Sequence, residues 1–242
     1  MGACLLLAAA CAVSPPPSTP PKREPRVRRP RTVADALHEY GPPVHERLEP
    51  LFARARADYP PQDIYLLAFK RERKVELWVD GRSGKPVFVR SYPILAASGK
   101  AGPKLREGDL QVPEGIYRIL YLNPDSHYHL SMKINYPNRF DREMAKLDGR
   151  TDLGGDIFIH GENLSIGCIA VGNPAIEDLF VLVAESGVHN AEVVIAPRDL
   201  RKKPPPEVTK VELRWLPVLY RQITRELERF KIRAGRVRGA GR

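Results

Sequence analysis

Cys168 and His160 are the two side chains whose types and spacing point most directly to covalent chemistry. Both lie in one dense segment, residues 156–170, which reads Asp-Ile-Phe-Ile-His-Gly-Glu-Asn-Leu-Ser-Ile-Gly-Cys-Ile-Ala. A thiolate is the reactive form of cysteine, and a nearby imidazole can take its proton and stabilise the anion. The run before His160 reads as a strand that delivers the imidazole to its end. A short polar loop follows, and Ser165-x-Gly167-Cys168 opens toward a helix. Imidazole and thiol can therefore meet across one loop. Gly167 allows the backbone to approach a substrate carbonyl, and the amides around Gly167 and Cys168 would serve as oxyanion donors. The Gly161 backbone is expected to hold the ring of His160, and Ser165 to bond the loop or the substrate. The chemistry implied is acyl transfer through a thioester, which needs no metal or organic cofactor. A thiolate paired with His160 would be alkylated faster than a model thiol near neutral pH.

Rival readings of these residues are weaker. The other cysteines, Cys4 and Cys11, fall in the first eleven residues, so Cys168 has no disulfide partner within the folded part. A lone cysteine is by default a small buried hydrophobe. His127 and His129 alternate on a probable strand and, with His160, suggest a zinc site, but no ligand spacing or acidic partner supports it. Residues 99–104 lack the Gly-Lys-Ser/Thr ending of a phosphate-binding loop and read as a turn near the cleft. Lys104, Arg106, Arg139 and Arg142 are candidates for binding substrate carboxylates, as is His129 for lining the site.

These residues need a β-rich frame. Strands are predicted at 64–69, 75–79, 87–89, 92–95, 114–119, 128–134, 156–160 and 193–195. Helices are predicted around 33–39, from Val44 to Ala57 with Val44, Leu48, Leu51 and Phe52 on one face, and from 175 to 184. Leu216, Leu219, Ile223, Leu227 and Phe230 mark a last amphipathic helix after Pro204-Pro205-Pro206. The expected fold is mainly β with peripheral helices, an α+β arrangement built on a sandwich or barrel.

The chain has 242 residues and a formal net charge of +10. That charge first suggests a nucleic-acid or membrane binder, but its distribution argues otherwise. Residues 22–31 carry +5, residues 198–242 carry +9, and residues 32–197 carry −4. The basic groups sit in the ends, so no nucleic-acid partner is expected. Residues 1–13 resemble a secretory or lipoprotein-type leader, in which small residues precede Cys11 and make it a candidate lipid anchor. Residues 14–31 form a Pro/Arg-rich tether, 32–62 a helical extension, 63–197 the catalytic domain, and 198–242 a basic C-terminal helix and tail.

Ile159-His160-Gly161 followed by Ser165-Ile166-Gly167-Cys168 resembles the active-site signature of the L,D-transpeptidases (YkuD-like), particularly their YafK-like branch. Ser98-Gly99-Lys100, Gly102-Pro103-Lys104-Leu105-Arg106-Glu107-Gly108-Asp109, Val112-Pro113-Glu114-Gly115-Ile116-Tyr117 and Tyr136-Pro137-Asn138 resemble the same branch, in order, from about Ile64 to about Pro197. The broader family has a second histidine two residues before the cysteine; here that position is Ile166. The resemblance implies a YkuD-like catalytic domain with Cys168 as nucleophile and His160 as base. It implies peptidoglycan stem peptides as acyl donors, an amine acceptor in cell-wall biogenesis, and a periplasmic place in the cell envelope. Two alternatives accompany it: a hydrolase that releases stem residues or a wall-linked envelope lipoprotein, and a non-catalytic peptidoglycan-binding module.

Overall fold

The structure, a computed structural model, describes residues 29–207 and 213–231. The leader, most of the tether, both early cysteines and the end of the basic tail lie outside the described residues. Residues from Arg31 onward form one unit.

Nine strands form one mixed sheet: β1 (Ile64–Phe69), β2 (Lys74–Asp80), β3 (Pro86–Pro93), β4 (Ala96–Ala97), β5 (Gly115–Ser126), β6 (His129–Ile134), β7 (Phe158–His160), β8 (Ile169–Ala170) and β9 (Ala191–Ala196). Their order across the sheet is β3-β2-β1-β9-β5-β6-β7-β8-β4. Strand β5 joins the two halves. Its first residues pair with β9, and those from Ile119 onward pair with β6, with register shifts between Ile119 and Tyr121 and between Asn123 and Ser126. The expected mainly β fold with peripheral helices is thus built as one irregular mixed sheet with helices against it.

The sequence alternation explains the layers. In β1, Ile64, Leu66 and Ala68 enter one core, while Leu67 and Phe69 enter a second. In β9, Ala191, Val193 and Ile195 go with the first core, and Val194 and Ala196 with the second. Successive strand side chains point to opposite faces, so a strand covered on both sides reads as an unbroken apolar run. Helices α1 (Val33–Ala55) and α3 (Asn173–Ser186) cover the first face. Helix α4 (Leu216–Leu227) covers the second with the predicted stripe Leu216, Leu219, Ile223 and Leu227, and Phe230 stays buried just beyond its end.

Two helical expectations are corrected. Two N-terminal helices were expected, around 33–39 and from Val44 to Ala57, but α1 is continuous through Gly41-Pro42-Pro43. Pro42 and Pro43 are exposed, so water can satisfy the carbonyls that lose a donor, while buried Val44, Leu48 and Phe52 hold the helix to the core. Helix α2 (Arg139–Leu147) was not expected. It buries only Ala145, and its start is set by a capping box in which Asn138 and Asp141 accept from each other's backbone N–H.

Polar contacts tie the layers together. Asp178 of α3 accepts from Arg47 of α1 at 2.8 Å, and from Arg90 and the Tyr92 hydroxyl of β3 at 3.1 Å each. Glu114, wholly buried, accepts from Lys70 at 2.9 Å, the Gly102 amide at 2.8 Å and the Tyr220 hydroxyl of α4 at 2.9 Å.

Asp141 adds a pH term. Burial pushes its carboxyl up from 3.8 to about 6. The folded protein therefore holds this proton more tightly than the unfolded chain. The contribution to stability is present below pH 3.8, fades between pH 3.8 and about 6, and is gone above that. Asp141→Asn is expected to remove up to ~3 kcal/mol of that decline, since one unit is worth about 1.4 kcal/mol. Denaturant unfolding of both proteins across this window checks it; equal slopes would refute the assignment. No helix among the described residues is long and apolar enough to cross a membrane.

Candidate active site

Parallel pairing of β7 with β8 places the two candidate residues. Ile159 pairs with Ile169 and His160 with Ala170, so Cys168 lies just before β8, beside Phe158. The Cys168 Sγ accepts from the Phe158 amide at 3.4 Å and lies 3.7 Å from the Asp156 carbonyl oxygen. The thiol is half-buried and free.

His160 is buried. Its Nδ1 lies 2.7 Å from the Gly161 carbonyl oxygen. A carbonyl can only accept, so Nδ1 carries the proton and Nε2 is left as the basic atom. The Tyr128 ring packs on the imidazole at 4.7 Å between centroids. Gly161 itself has no room for a side chain: a Cβ would come within 2.7 Å of the Tyr128 carbonyl oxygen and 2.6 Å of Asn173 Oδ1. The residue that holds the imidazole is thus wedged between the β5–β6 turn and the start of α3.

Gly167 is a glycine for a different reason. Its φ is +116°, and a Cβ there would meet its nearest atoms only at 3.8 Å. The backbone angle, not space, demands glycine. Ser165 Oγ donates to the Cys168 carbonyl at 2.6 Å and closes the loop below the thiol. Leu164 and Ile166 of this loop are 66% and 75% exposed, so the position of the second family histidine is an apolar side chain turned to solvent.

Burial sets the protonation state of the pair. It pushes the His160 imidazole below its ordinary range, even though the Gly161 carbonyl and the Glu162 charge favour the cation. It pushes the Cys168 thiol up; the Asp156 charge adds to this, and the Phe158 amide and Lys104 oppose it. Both directions favour neutral thiol beside neutral imidazole. These directions oppose a standing ion pair, on which the expected fast alkylation depends.

The other candidates are distributed differently. Lys104 is buried; its ammonium donates to Asp109 at 2.7 Å and to the Arg106 carbonyl at 2.9 Å. Its charge reaches Cys168 without touching it. Arg106 is exposed beside this turn. Arg139 is 90% exposed on α2 and paired with Glu143. His129 is held by Glu177 of α3 at 2.9 Å and packs edge-on against Tyr40 of α1. Among the described residues no group of three His, Cys, Asp or Glu is placed to hold a metal ion.

Tyr128 escaped the sequence reading, which weighed its neighbours His127 and His129 and not the aromatic ring between them. So did Arg71 and Arg198, which with Lys100 line a cleft of about 370 Å³. They come from three distant segments, and nothing in their local sequence joins them.

A model of the YkuD family, described as the L,D-transpeptidase catalytic domain, matches residues 63–210. The protein named "Putative L,D-transpeptidase YafK" from Escherichia coli K12 is 37% identical over 123 residues, covering 50% of this chain and 47% of that protein. The chain spans about half the length of the curated relatives it matches. Among solved structures, the helical cell shape determining protein Pgp2 from Campylobacter jejuni gives a TM-score of 0.46 at 24% identity, covering 64% of this chain and 55% of that one. L,D-transpeptidase 1 of Mycobacterium tuberculosis gives a TM-score of 0.32 at 12% identity, covering 55% of this chain and 62% of that one.

Proposed function

The chain belongs to the YkuD family, the L,D-transpeptidase catalytic domain, and from that premise we propose that it transfers peptidoglycan stem-peptide acyl groups through a thioester on Cys168. The observation that carries this reading is the β7–β8 register, which sets a free thiol beside the strand that ends in a buried imidazole fixed as its Nδ1–H tautomer. Envelope localisation, a lipid anchor at Cys11 and a lipoprotein partner belong to the same proposal.

The mechanism follows from the protonation states. Substrate seats its scissile carbonyl over Cys168, near the Gly167 and Cys168 amides. His160 Nε2 takes the thiol proton as sulfur attacks the carbonyl carbon. The Gly161 carbonyl favours the imidazolium that forms, because it already accepts from Nδ1. The C–S bond forms, the C–N bond breaks, and His160 returns the proton to the leaving amine. An acceptor amine then attacks the thioester and gives a cross-link. Water in its place gives a shortened stem.

Incubation of the purified protein with muropeptides tests this. The expected result is an acyl adduct on Cys168, followed by cross-linked dimers or shortened stems, both read by mass. Absence of any adduct or product would leave the peptidoglycan-binding module as the reading. The neutral resting pair makes a second demand. His160→Ala should lower acyl transfer by about 10²–10⁴-fold, the usual worth of a general base, yet leave iodoacetamide labelling of free Cys168 nearly unchanged at neutral pH. A parallel collapse of labelling would mean that a thiolate–imidazolium pair exists before substrate arrives.

A further inference from the structure

Helix α1 lies before residues 63–210, the stretch that matches the family, yet its contacts lead to the base. They pass through His129, where the β5–β6 turn enters β6. Both chain neighbours of His129 touch the His160–Gly161 pair. On one side the Tyr128 ring packs on the His160 imidazole, 4.7 Å between centroids and 38° between planes. On the other side the Leu130 carbonyl accepts from the Gly161 amide at 3.1 Å. Gly161 is also the residue whose carbonyl accepts from His160 Nδ1. Residues 128–130 thus set both the cover over the imidazole and the peptide that orients it.

His129 is held in a backbone conformation that needs support. Its φ is +72°, a region that side chains with a Cβ seldom adopt and that persists where surrounding contacts over-determine it. Here α3 and α1 supply those contacts. Glu177 of α3 bonds His129 Nε2 at 2.9 Å, and Tyr40 of α1 meets the ring edge-on at 5.1 Å between centroids. Arg47 of α1 donates to the other Glu177 oxygen at 3.5 Å. Arg31 in turn fixes Tyr40: its guanidinium lies 4.7 Å from the ring centroid and donates to the hydroxyl at 3.2 Å. Helix α1 therefore braces His129 twice, directly through Tyr40 and indirectly through Glu177.

We propose that His129 is a positioning residue for His160, and that α1 holds it in place as a working part of the active site, a proposal that rests on the acyl-transfer reading above. The His129 ring is engaged by α1 and α3, so it acts through Tyr128 and Leu130. With the turn pinned, the Tyr128 ring keeps water from the imidazole and the Gly161 peptide keeps Nε2 aligned for the thiol proton. Burial of this kind holds the imidazole below its ordinary range. Releasing the turn uncovers the ring, lets its pKa rise toward that range and loosens its aim.

The test reads His160 directly, by NMR of histidine ring nitrogens in the full-length protein without substrate, and then kcat and KM with muropeptides. His129→Asn tolerates a positive φ but removes the imidazole that Glu177 and Tyr40 grip. Its His160 should lose part of the Nδ1–H population and titrate at higher pH than in the parent. The acidic limb of kcat/KM should move up with it, and kcat should fall about 10- to 100-fold with KM nearly unchanged, as expected of a misaimed base. Tyr40→Leu should act in the same direction and serves if His129→Asn fails to fold, whereas Tyr40→Phe keeps the ring and should restore the parent titration. His45→Gln cuts another contact between α1 and α3, the His45–Glu185 pair at 2.7 Å, and should leave His160 unmoved. Parent-like titration of His160 in both His129→Asn and Tyr40→Leu overturns the proposal. An equal shift in His45→Gln also overturns it, since α1 would then give general support only. Failure of the parent protein to form an acyl adduct would strike the acyl-transfer reading alone, because the His160 titration needs no substrate.

Discussion

Cys168→Ala is expected to lower kcat/KM for acyl transfer by about 10³-fold or more, while the protein still melts within a few degrees of the unaltered chain. No other thiol can replace the sulfur, since Cys4 and Cys11 are the only other cysteines and lie in the first eleven residues. The structural loss is small. Sγ makes two weak contacts, to the Phe158 amide at 3.4 Å and the Asp156 carbonyl at 3.7 Å. Cys168→Ser is the stricter comparison: it keeps a polar atom in place but replaces the thiol with a far weaker acid. Both variants should lack the acyl adduct by mass. Retained turnover in either would move the nucleophile elsewhere.

Glu114→Ala is expected to destabilise the fold by about 3–5 kcal/mol, because it strands a buried ammonium. Glu114 is wholly buried and receives Lys70, the Gly102 amide and the Tyr220 hydroxyl. Without its carboxylate, Lys70 keeps two carbonyl contacts, Gly102 and Val112 at 3.0 Å each, and no counter-charge. At this chain length the loss corresponds to a fall in Tm of roughly 10 °C. Replacing the three side chains together, as Lys70→Met with Glu114→Leu and Tyr220→Phe, should recover part of that loss, since no charge or hydroxyl is then left unpaired, although the Gly102 amide loses its acceptor. Denaturant midpoints distinguish the cases. A single variant within 1 kcal/mol of the parent would show that the pair carries no structural weight.

What the sequence disclosed, and what it withheld, divides along physical lines. The strand at Ile64–Phe69, the α4 stripe and the His160–Cys168 segment are local patterns, and each was legible from neighbouring residues. Helix α2 was not, because it fully buries only Ala145, and its short apolar face, Phe140 and Met144, is only partly covered. The continuity of α1 was hidden because local proline chemistry argues for a break that burial overrides. Around the thiol, the motif picked out Cys168 and His160, whereas the burial that opposes an ion pair between them is a tertiary property. The cations proposed from the sequence lay near one another along the chain, at 104 and 106 and at 139 and 142. Those in the cleft, Arg71, Lys100 and Arg198, are neighbours only after β1, β4 and β9 have taken their places.

The parallel pairing of β1 with β9 governs how this protein comes into being. Ile64 meets Ala191 in the middle of the sheet, 127 residues later in the chain. Closing so long a loop costs entropy before any contact rewards it, and folding slows as contacts become more distant in sequence. His160 and Cys168 are both strung within that loop. During synthesis, β1 and β2 can form a hairpin early, but the inner edge of β1 stays bare until residue 196 has appeared. An apolar strand with an open edge is a template for another chain. The yield of active protein is then a race between arrival of β9 and a stray neighbour, won more often at low concentration and slow chain production.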